Sequence, residues 1–245
     1  MKEIKDLTIL VVDDEPDLGE LVAFEFELVG ASVFSASNGK EALEIVKTNA
    51  IDVVVSDIRM PGGDGVELLE NLRTLDPVHP ALVFMTGFAD ITLEDAYDKG
   101  AVAMFGKPFN RNELIDTVGK SVLGYEEKWA SDLSGSEGTF TFNFDGNEVQ
   151  SALDSGQIKF GKGGLFLHVP EKLPAVSDNV HFTLNFPGEP FKKLEGEGLV
   201  RWVRRQSDGA HLKGIGLEIK GIVGDKRPDI LTFFKELSSV AYIPK

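Results

Sequence analysis

The chain contains no cysteine, so disulfides and thiolate metal centres are unavailable to it and a reducing compartment suits it. It also lacks an uncharged apolar run approaching the ~18–20 residues that a bilayer span requires. The opening residues Met1-Lys2-Glu3-Ile4-Lys5-Asp6 have neither the apolar core nor the cleavage pattern of a signal peptide. A soluble cytoplasmic protein without membrane insertion is expected. Positive charge is scarce where a nucleic acid would need it. Residues 1–130 carry 11 Lys+Arg against 25 Asp+Glu, and residues 131–245 carry 14 against 15. The first half is too acidic for a phosphate backbone and the second too neutral, so no DNA partner is expected. What is present is globular: 245 residues, 42% hydrophobic, with a charge imbalance confined to one half. Two ordinary domains explain this most simply.

The first half alternates between apolar runs and amphipathic stretches. Leu7 to Val12 reads as a buried strand ending in Asp13-Asp14-Glu15, followed by helical spacing from Asp17 to Leu28 stopped at Gly30. Ala31–Ala36 is a second strand, and Asn38 can cap a helix from about Gly39 to Lys47. Asp52-Val53-Val54-Val55-Ser56-Asp57 is a third strand, apolar enough to be buried on both faces, turned by Pro61 and Gly62. A helix from Asp64 to Leu75, a strand Ala81–Thr86 and a helix from Ile91 to Lys99 follow. A fifth strand, Ala101–Phe105, ends at Gly106-Lys107-Pro108, and Asn110 caps a last helix to Leu123. Five such alternations predict an α/β doubly wound five-stranded parallel sheet.

Open parallel sheets bind ligands at the C-terminal edges of their strands. Asp13 and Asp14 end the first strand, Asp57 the third and Thr86 the fourth, and Lys107 follows the fifth. Clustered carboxylates repel one another unless a hard divalent cation joins them, and Mg²⁺ suits carboxylate and phosphate oxygens. A lysine opposite them acts as a point charge for a phosphoryl group, a threonine hydroxyl can bond one of its oxygens, and Gly87 leaves room. Asp57 then reads as the nucleophile that accepts the phosphoryl group as an acyl phosphate. Each residue alone is commonly structural; their agreement at five strand ends is what points to chemistry.

With these residues in view, residues 5–124 resemble a response-regulator receiver domain of the CheY-like kind. The resemblance is carried by Asp13-Asp14, by Ser56-Asp57-Ile58-Arg59-Met60-Pro61-Gly62, by Thr86 and by Lys107-Pro108-Phe109. It implies phosphotransfer to Asp57 from a sensor histidine kinase or phosphotransfer protein. It also implies Mg²⁺ held by Asp13, Asp14, Asp57 and the Arg59 backbone carbonyl, with Thr86 and Lys107 contacting the phosphoryl group. The face formed by the fourth helix, fifth strand and fifth helix is implied to rearrange, and whether phosphorylation also pairs two copies as a homodimer is left open. One position departs: the aromatic switch residue of the family is here Met104, followed by Phe105. A flexible apolar side chain there is expected to alter the coupling to Thr86 while leaving phosphate acceptance intact.

After Gly124, the small polar run Ser131–Gly138 reads as part of a linker over residues 125–138. Short alternating segments follow at Thr139–Phe144, Gly164–Val169, Asn179–Phe186, Gly196–Arg204 and Gly214–Ile219, and an amphipathic helix runs from Pro228 to Val240. A small antiparallel β-barrel with a C-terminal helix is expected over residues 139–240. The Phe140, Phe142, Phe144 face reads as core, and Arg201, Arg204 and Arg205 as a solvated edge.

This half resembles a PilZ domain, through Gly163-Gly164-Leu165-Phe166-Leu167, Val200-Arg201-Trp202, Gly214-Ile215-Gly216-Leu217 and the final helix. The family implies cyclic di-GMP as ligand, but its paired arginines are missing, since no Arg lies between Arg111 and Arg201. Aligned on Gly164, the Asp/Asn and Ser places of the second motif hold Lys159 and Gly161. Cyclic di-GMP binding in the usual mode is therefore not expected. Gly62-Gly63-Asp64-Gly65 reads as a turn, Gly161-Lys162-Gly163-Gly164 lacks the Lys-Ser/Thr of a phosphate loop, and the four histidines have no metal-ligand spacing. No catalytic constellation follows residue 125, so the second half is expected to act by binding a downstream protein and not as an enzyme. The alternative is a PilZ effector that combines phosphorylation with cyclic di-GMP input.

Overall fold

The structure, a computed structural model, describes residues 3–87, 91–129, 140–188, 192–223, 227–236 and 240–245. The predicted Gly/Ser-rich run at 131–138, Thr139 and positions 237–239 of the last helix lie outside the described residues. The chain divides into two compact units, Met1–Thr92 with Lys99–Leu123, and Leu93–Asp98 with Gly124–Lys245.

The first unit is built on β1 (Thr8–Val12), β2 (Ser32–Ala36), β3 (Val53–Asp57), β4 (Ala81–Thr86) and β5 (Ala103–Gly106). They form one parallel sheet in the order β2-β1-β3-β4-β5. Every residue of β3 and β4 is buried, as their unbroken apolar runs require of strands covered on both faces. Helices α1 (Pro16–Leu28), α2 (Gly39–Thr48), α3 (Gly65–Leu75) and α5 (Arg111–Ser121) connect them, with α4 (Leu93–Asp98) between β4 and β5. Local chemistry starts these helices. Asn38 Oδ1 accepts from the Lys40 and Glu41 N–H groups, Asp64 Oδ1 from Glu67 N–H, and Asn110 Oδ1 from Glu113 N–H. Asp52, the acid that opens β3, ties the sheet instead of the site: its Oδ2 accepts the Thr8 N–H at 3.0 Å. The sheet order reverses direction after β1, and the crevice at such a point opens above the C-terminal ends of β1 and β3. The sequence puts its carboxylates at those ends.

The second unit begins with α6 (Tyr125–Lys128) and contains α4. Its six strands are β6 (Phe140–Phe144), β7 (Ile158–Phe160), β8 (Gly164–His168), β9 (Asn179–Asn185), β10 (Lys193–Arg204) and β11 (Gly214–Val223). They lie in the order β6-β9-β10-β11-β8-β7, a curled half-barrel whose end strands are β6 and β7. Helix α7 (Gly146–Asp154) follows β6 and α8 (Arg227–Glu236) follows β11.

The expectation of an antiparallel barrel is corrected here. Four strand pairs are antiparallel, but β6 and β9 run parallel. The reason is the helix that the sequence reading missed. Asp145 and Glu148 form a reciprocal capping box that starts α7, so the chain leaves β6 by a crossover and not by a hairpin. A second correction concerns Arg201 and Arg204. Strand β10 lies between β9 and β11, so these arginines sit on a central strand and not on a solvated edge. Arg201 Nη2 pairs with Glu218 at 2.5 Å, and the Arg204 side chain is only 9% exposed. A third correction concerns the linker expected over 125–138: its first residues form α6, and Trp129, inside the expected linker, is fully buried. Its Nε1 donates to the Ile219 carbonyl at 3.0 Å, and its ring meets Phe234 edge-on at 4.7 Å. The three phenylalanines of β6 are half-buried against the same core.

Candidate functional site

The C-terminal edge of the parallel sheet gathers Asp13, Asp14, Asp57, Thr86 and Lys107. Asp13 follows β1, held by its own N–H to the Ala36 carbonyl at 3.1 Å, and its Oδ1 accepts the Glu15 N–H at 3.0 Å. Asp57 ends β3, where its Oδ1 accepts the Ile58 N–H at 2.6 Å. Lys107 crosses from beyond β5. Its Nζ donates to Asp57 Oδ2 at 2.7 Å and to Asp13 Oδ2 at 3.0 Å. Its backbone N–H meets the Thr86 carbonyl at 2.7 Å, which ties the threonine and lysine segments together.

Asp13, Asp57 and Thr86 are buried, whereas Asp14 is exposed. One carboxylate oxygen from each of Asp13, Asp14 and Asp57 lies within 4.8 Å of the other two. Arg59 follows in the loop toward α3, with its side chain exposed and its carbonyl two residues beyond Asp57. Met104 is half-buried in β5, in register with Phe84 of β4; Phe105, its neighbour, packs toward the core shared with α1 and α5.

This electrostatic arrangement keeps Lys107 charged. Burial on its own disfavours the ammonium, but the hydrogen bonds to Asp57 and Asp13 outweigh it and raise the pKa above its ordinary 10.5. Because the folded value exceeds the unfolded one, the stabilisation from this pairing is complete below pH 10.5. It fades as pH rises through the folded value.

A glycine that the sequence reading took for part of a turn sets the geometry beneath Asp57. A Cβ on Gly65 would lie 2.2 Å from the Asp57 carbonyl oxygen and 3.1 Å from both Ser56 Oγ and the Phe84 ring. The Gly65 N–H also donates to the Ile58 carbonyl at 2.8 Å, and buried Ser56 donates its hydroxyl to the Asp57 carbonyl at 2.7 Å. The first turn of α3 thus rests directly on the end of β3 that carries Asp57. The only local signal was a glycine at the first helical position. Gly65→Ala is expected to cost about 1–3 kcal/mol by overpacking and to displace the Asp57 main chain. Urea unfolding and phosphodonor labelling of the same variant measure the two effects.

In the second unit, Lys159 lies in β7, Gly161 in the turn and Gly164 at the start of β8. The Gly161 N–H donates to the Gly164 carbonyl at 2.8 Å, and Lys159 Nζ donates to the Lys245 carbonyl at 2.7 Å. A Cβ on Gly164 would lie 1.9 Å from the Leu217 carbonyl oxygen, so that glycine is required by the strand pairing itself. Two histidines contact polar partners: His168 Nδ1 lies 2.7 Å from the Lys213 carbonyl, and His181 Nε2 lies 3.3 Å from Glu195.

A parallel sheet in this order, with an acid pair, a third aspartate, a threonine and a lysine at one edge, has the architecture of a CheY-like receiver domain. Comparison with known proteins agrees. The model of the response regulator receiver domain matches residues 9–119. Sporulation initiation phosphotransferase F of Bacillus subtilis is 34% identical over 113 residues, which are 46% of this chain and 90% of that protein. The DNA-binding transcriptional regulator NtrC of Escherichia coli is 32% identical over 121 residues, 49% of this chain but 26% of NtrC. The chain thus spans about a quarter of NtrC's length. Among solved structures, TrrA of Thermotoga maritima in complex with Mg²⁺-BeF is 32% identical, covering 47% of this chain and 98% of that one, with a TM-score of 0.44. The chain belongs to the response regulator receiver family, and it is a two-component response regulator of the phosphorelay type. Among the described residues, no helix is long and apolar enough to cross a membrane.

Proposed function

We propose that Asp57 accepts a phosphoryl group from a histidine kinase or phosphotransfer protein, and that the second unit passes the signal on by binding a protein. The observation that carries this is the Lys107 ammonium 2.7 Å from Asp57, beside three carboxylates within 4.8 Å of one another. In the transfer, an Asp57 carboxylate oxygen forms a bond to phosphorus as the P–N bond to the donor imidazole breaks. The imidazole nitrogen takes up a proton as it leaves.

Hard carboxylate oxygens are the donor set that Mg²⁺ prefers, so Asp13, Asp14, Asp57 and the Arg59 carbonyl would hold it. When bound, the ion supplies positive charge against the oxygens of the group in transit. Lys107 adds a fixed charge at Asp57 Oδ2, and the Thr86 hydroxyl offers a hydrogen bond to the acceptor's product. Acetyl phosphate labelling followed by intact mass tests the reading. With Mg²⁺ the protein should gain one phosphoryl group, and after chelation with EDTA it should gain none; equal labelling in both would sink the metal's part. Lys107→Ala is expected to retain some labelling, because the nucleophile remains, but to lose the downstream response. An unchanged response would contradict that role.

For the second unit we propose a PilZ-like module that is not an enzyme and whose usual ligand contacts are lost. Lys159 and Gly161 stand where the family's Asp/Asn and Ser would contact cyclic di-GMP, and Lys159 is already bonded to the Lys245 carbonyl. Calorimetry with the dinucleotide is expected to show no saturable binding. Micromolar affinity would instead favour an effector that integrates both inputs.

A further inference from the structure

The half-barrel has two apolar faces. Leu165 and Leu167 point into its main core, whereas Phe166, between them, points the other way and stacks on Trp202 at 5.8 Å with an interplanar angle of 12°. The Arg204 guanidinium lies 5.4 Å from the Trp202 ring and 5.8 Å from Phe166. Phe166 and Trp202 are nonetheless almost wholly buried, at 1% and 3% exposure. An apolar sheet face of this size needs a cover, because soluble proteins rarely leave one exposed.

This side of the half-barrel holds a segment of the chain itself, Ala241–Lys245, bent at Tyr242 and Ile243, whose Ala241, Tyr242 and Ile243 are buried. The N–H groups of Lys162 and Gly163 donate to the Ala241 and Tyr242 carbonyls at 2.9 and 2.8 Å. The floor of the groove is glycine for a reason. A Cβ on Gly163 would lie 2.1 Å from the Tyr242 ring, and one on Gly161 would lie 2.7 Å from Pro244 Cδ and from the Tyr242 carbonyl oxygen. Lys159, whose ammonium lies 6.0 Å from the Phe166 ring, holds the far end of the segment through the Lys245 carbonyl. On its other side the segment grips α4. Tyr242 donates its N–H to the Tyr97 carbonyl at 2.8 Å and stacks on the Tyr97 ring at 6.1 Å. The Lys245 N–H donates to Asp98 Oδ1 at 3.1 Å, and Lys245 Nζ to Asp95 Oδ1 at 2.8 Å. Glu94 of the same helix pairs with Arg204.

We infer that the glycine-floored groove at Gly161–Gly164 is a peptide-binding site whose occupant in this chain is Ala241–Lys245, a built-in ligand that also fastens α4. The class of ligand follows from the contacts. Main-chain bonds from Lys162 and Gly163 require two successive carbonyls free to accept, the absent Cβ atoms admit an aromatic ring, and Asp95 with Asp98 select a basic residue three places further on. The groove is the place that the Lys159, Gly161, Gly164 motif would give a nucleotide. On the PilZ-like reading of this unit, the chain's own segment stands where the dinucleotide would. Helix α4 begins seven residues after Thr86 along the chain, so the peptide grips the element that next follows the proposed phosphoryl-contacting strand, and phosphorylation is expected to change that grip. This last link rests on the phosphoacceptor reading; the groove and its occupant do not.

Amide hydrogen exchange on the full chain tests both parts. The amides of Lys162, Gly163 and Tyr242 should be slow, and Tyr242→Ala should speed Lys162 and Gly163 at least about tenfold while leaving the β9–β10 ladder unchanged. Synthetic Ala-Tyr-Ile-Pro-Lys with a blocked N-terminus, added in excess to Tyr242→Ala, should restore slow exchange at Gly163. Unprotected amides in the unaltered protein would overturn the assignment. So would a Tyr242→Ala variant that is folded, unchanged at Gly163 and indifferent to the peptide. If Tyr242→Ala does not fold, Lys245→Ala serves, with faster exchange at Tyr242 supporting the grip on α4 and no change opposing it. Acetyl phosphate with Mg²⁺ should then speed Tyr242 in every molecule that gains a phosphoryl mass. Mass gain without that change overturns the link to α4. Absence of mass gain counts against the phosphoacceptor reading and leaves the groove to be judged by its variants.

Discussion

Asp57→Asn is expected to reduce phosphodonor labelling to below about one part in a hundred of the unaltered protein, because the nucleophile is removed and not merely weakened. The substitution is close to isosteric. The Asn amide oxygen can still accept the Ile58 N–H that Asp57 Oδ1 accepts at 2.6 Å. What it loses is the anionic oxygen 2.7 Å from Lys107 Nζ, where an amide nitrogen would instead set donor against donor. The fold should therefore survive with a loss of about 1–3 kcal/mol while labelling disappears. Intact mass after acetyl phosphate treatment, beside a urea melt, separates the two. Labelling that persists in a folded Asp57→Asn protein would show that another residue accepts the phosphoryl group.

Trp129→Ala should have the largest effect on stability, about 3–5 kcal/mol from the emptied volume alone. Trp129 is fully buried in the second unit, edge-on to Phe234, and its Nε1 is the donor to the Ile219 carbonyl in β11. Removing it also strands that buried acceptor. A domain's total stability is only about 5–15 kcal/mol, so the second unit should melt far below the first, which is built on its own core. Calorimetry should resolve one unchanged and one lowered transition. A single unshifted transition would mean that Trp129 is dispensable to the core.

The contrast between these two residues shows what a sequence makes legible. Asp57 stood out because β3 is apolar on both faces, so the one acid at its end has no packing reason to be there. The same logic, with Asn38, Asp64 and Asn110 as helix caps, makes the whole parallel sheet readable from local pattern. Trp129 did not stand out, since it precedes a small polar run and its partners, Phe234 and Ile219, lie about a hundred residues away. Arg201 and Arg204 were misjudged for a related reason. Alternation says which face a residue occupies, but the rank of β10 within the sheet depends on pairings with β9 and β11. Helix α7 did carry a local signal, the Asp145–Glu148 capping box, which the eye passes over beside the three phenylalanines of β6. Gly65 is intermediate: its identity was visible, whereas its closeness to the Asp57 carbonyl belongs to the packed α3–β3 pair.

The most direct measurement locates the phosphoryl group in the unaltered protein. After acetyl phosphate and Mg²⁺, the acyl phosphate is reduced with borohydride and the chain is digested and mapped by tandem mass spectrometry. The account predicts that the trapped residue is Asp57, and that omitting Mg²⁺ leaves it unmodified. Modification at Asp13 or Asp14 with Asp57 untouched, or equal modification without the metal, would contradict it.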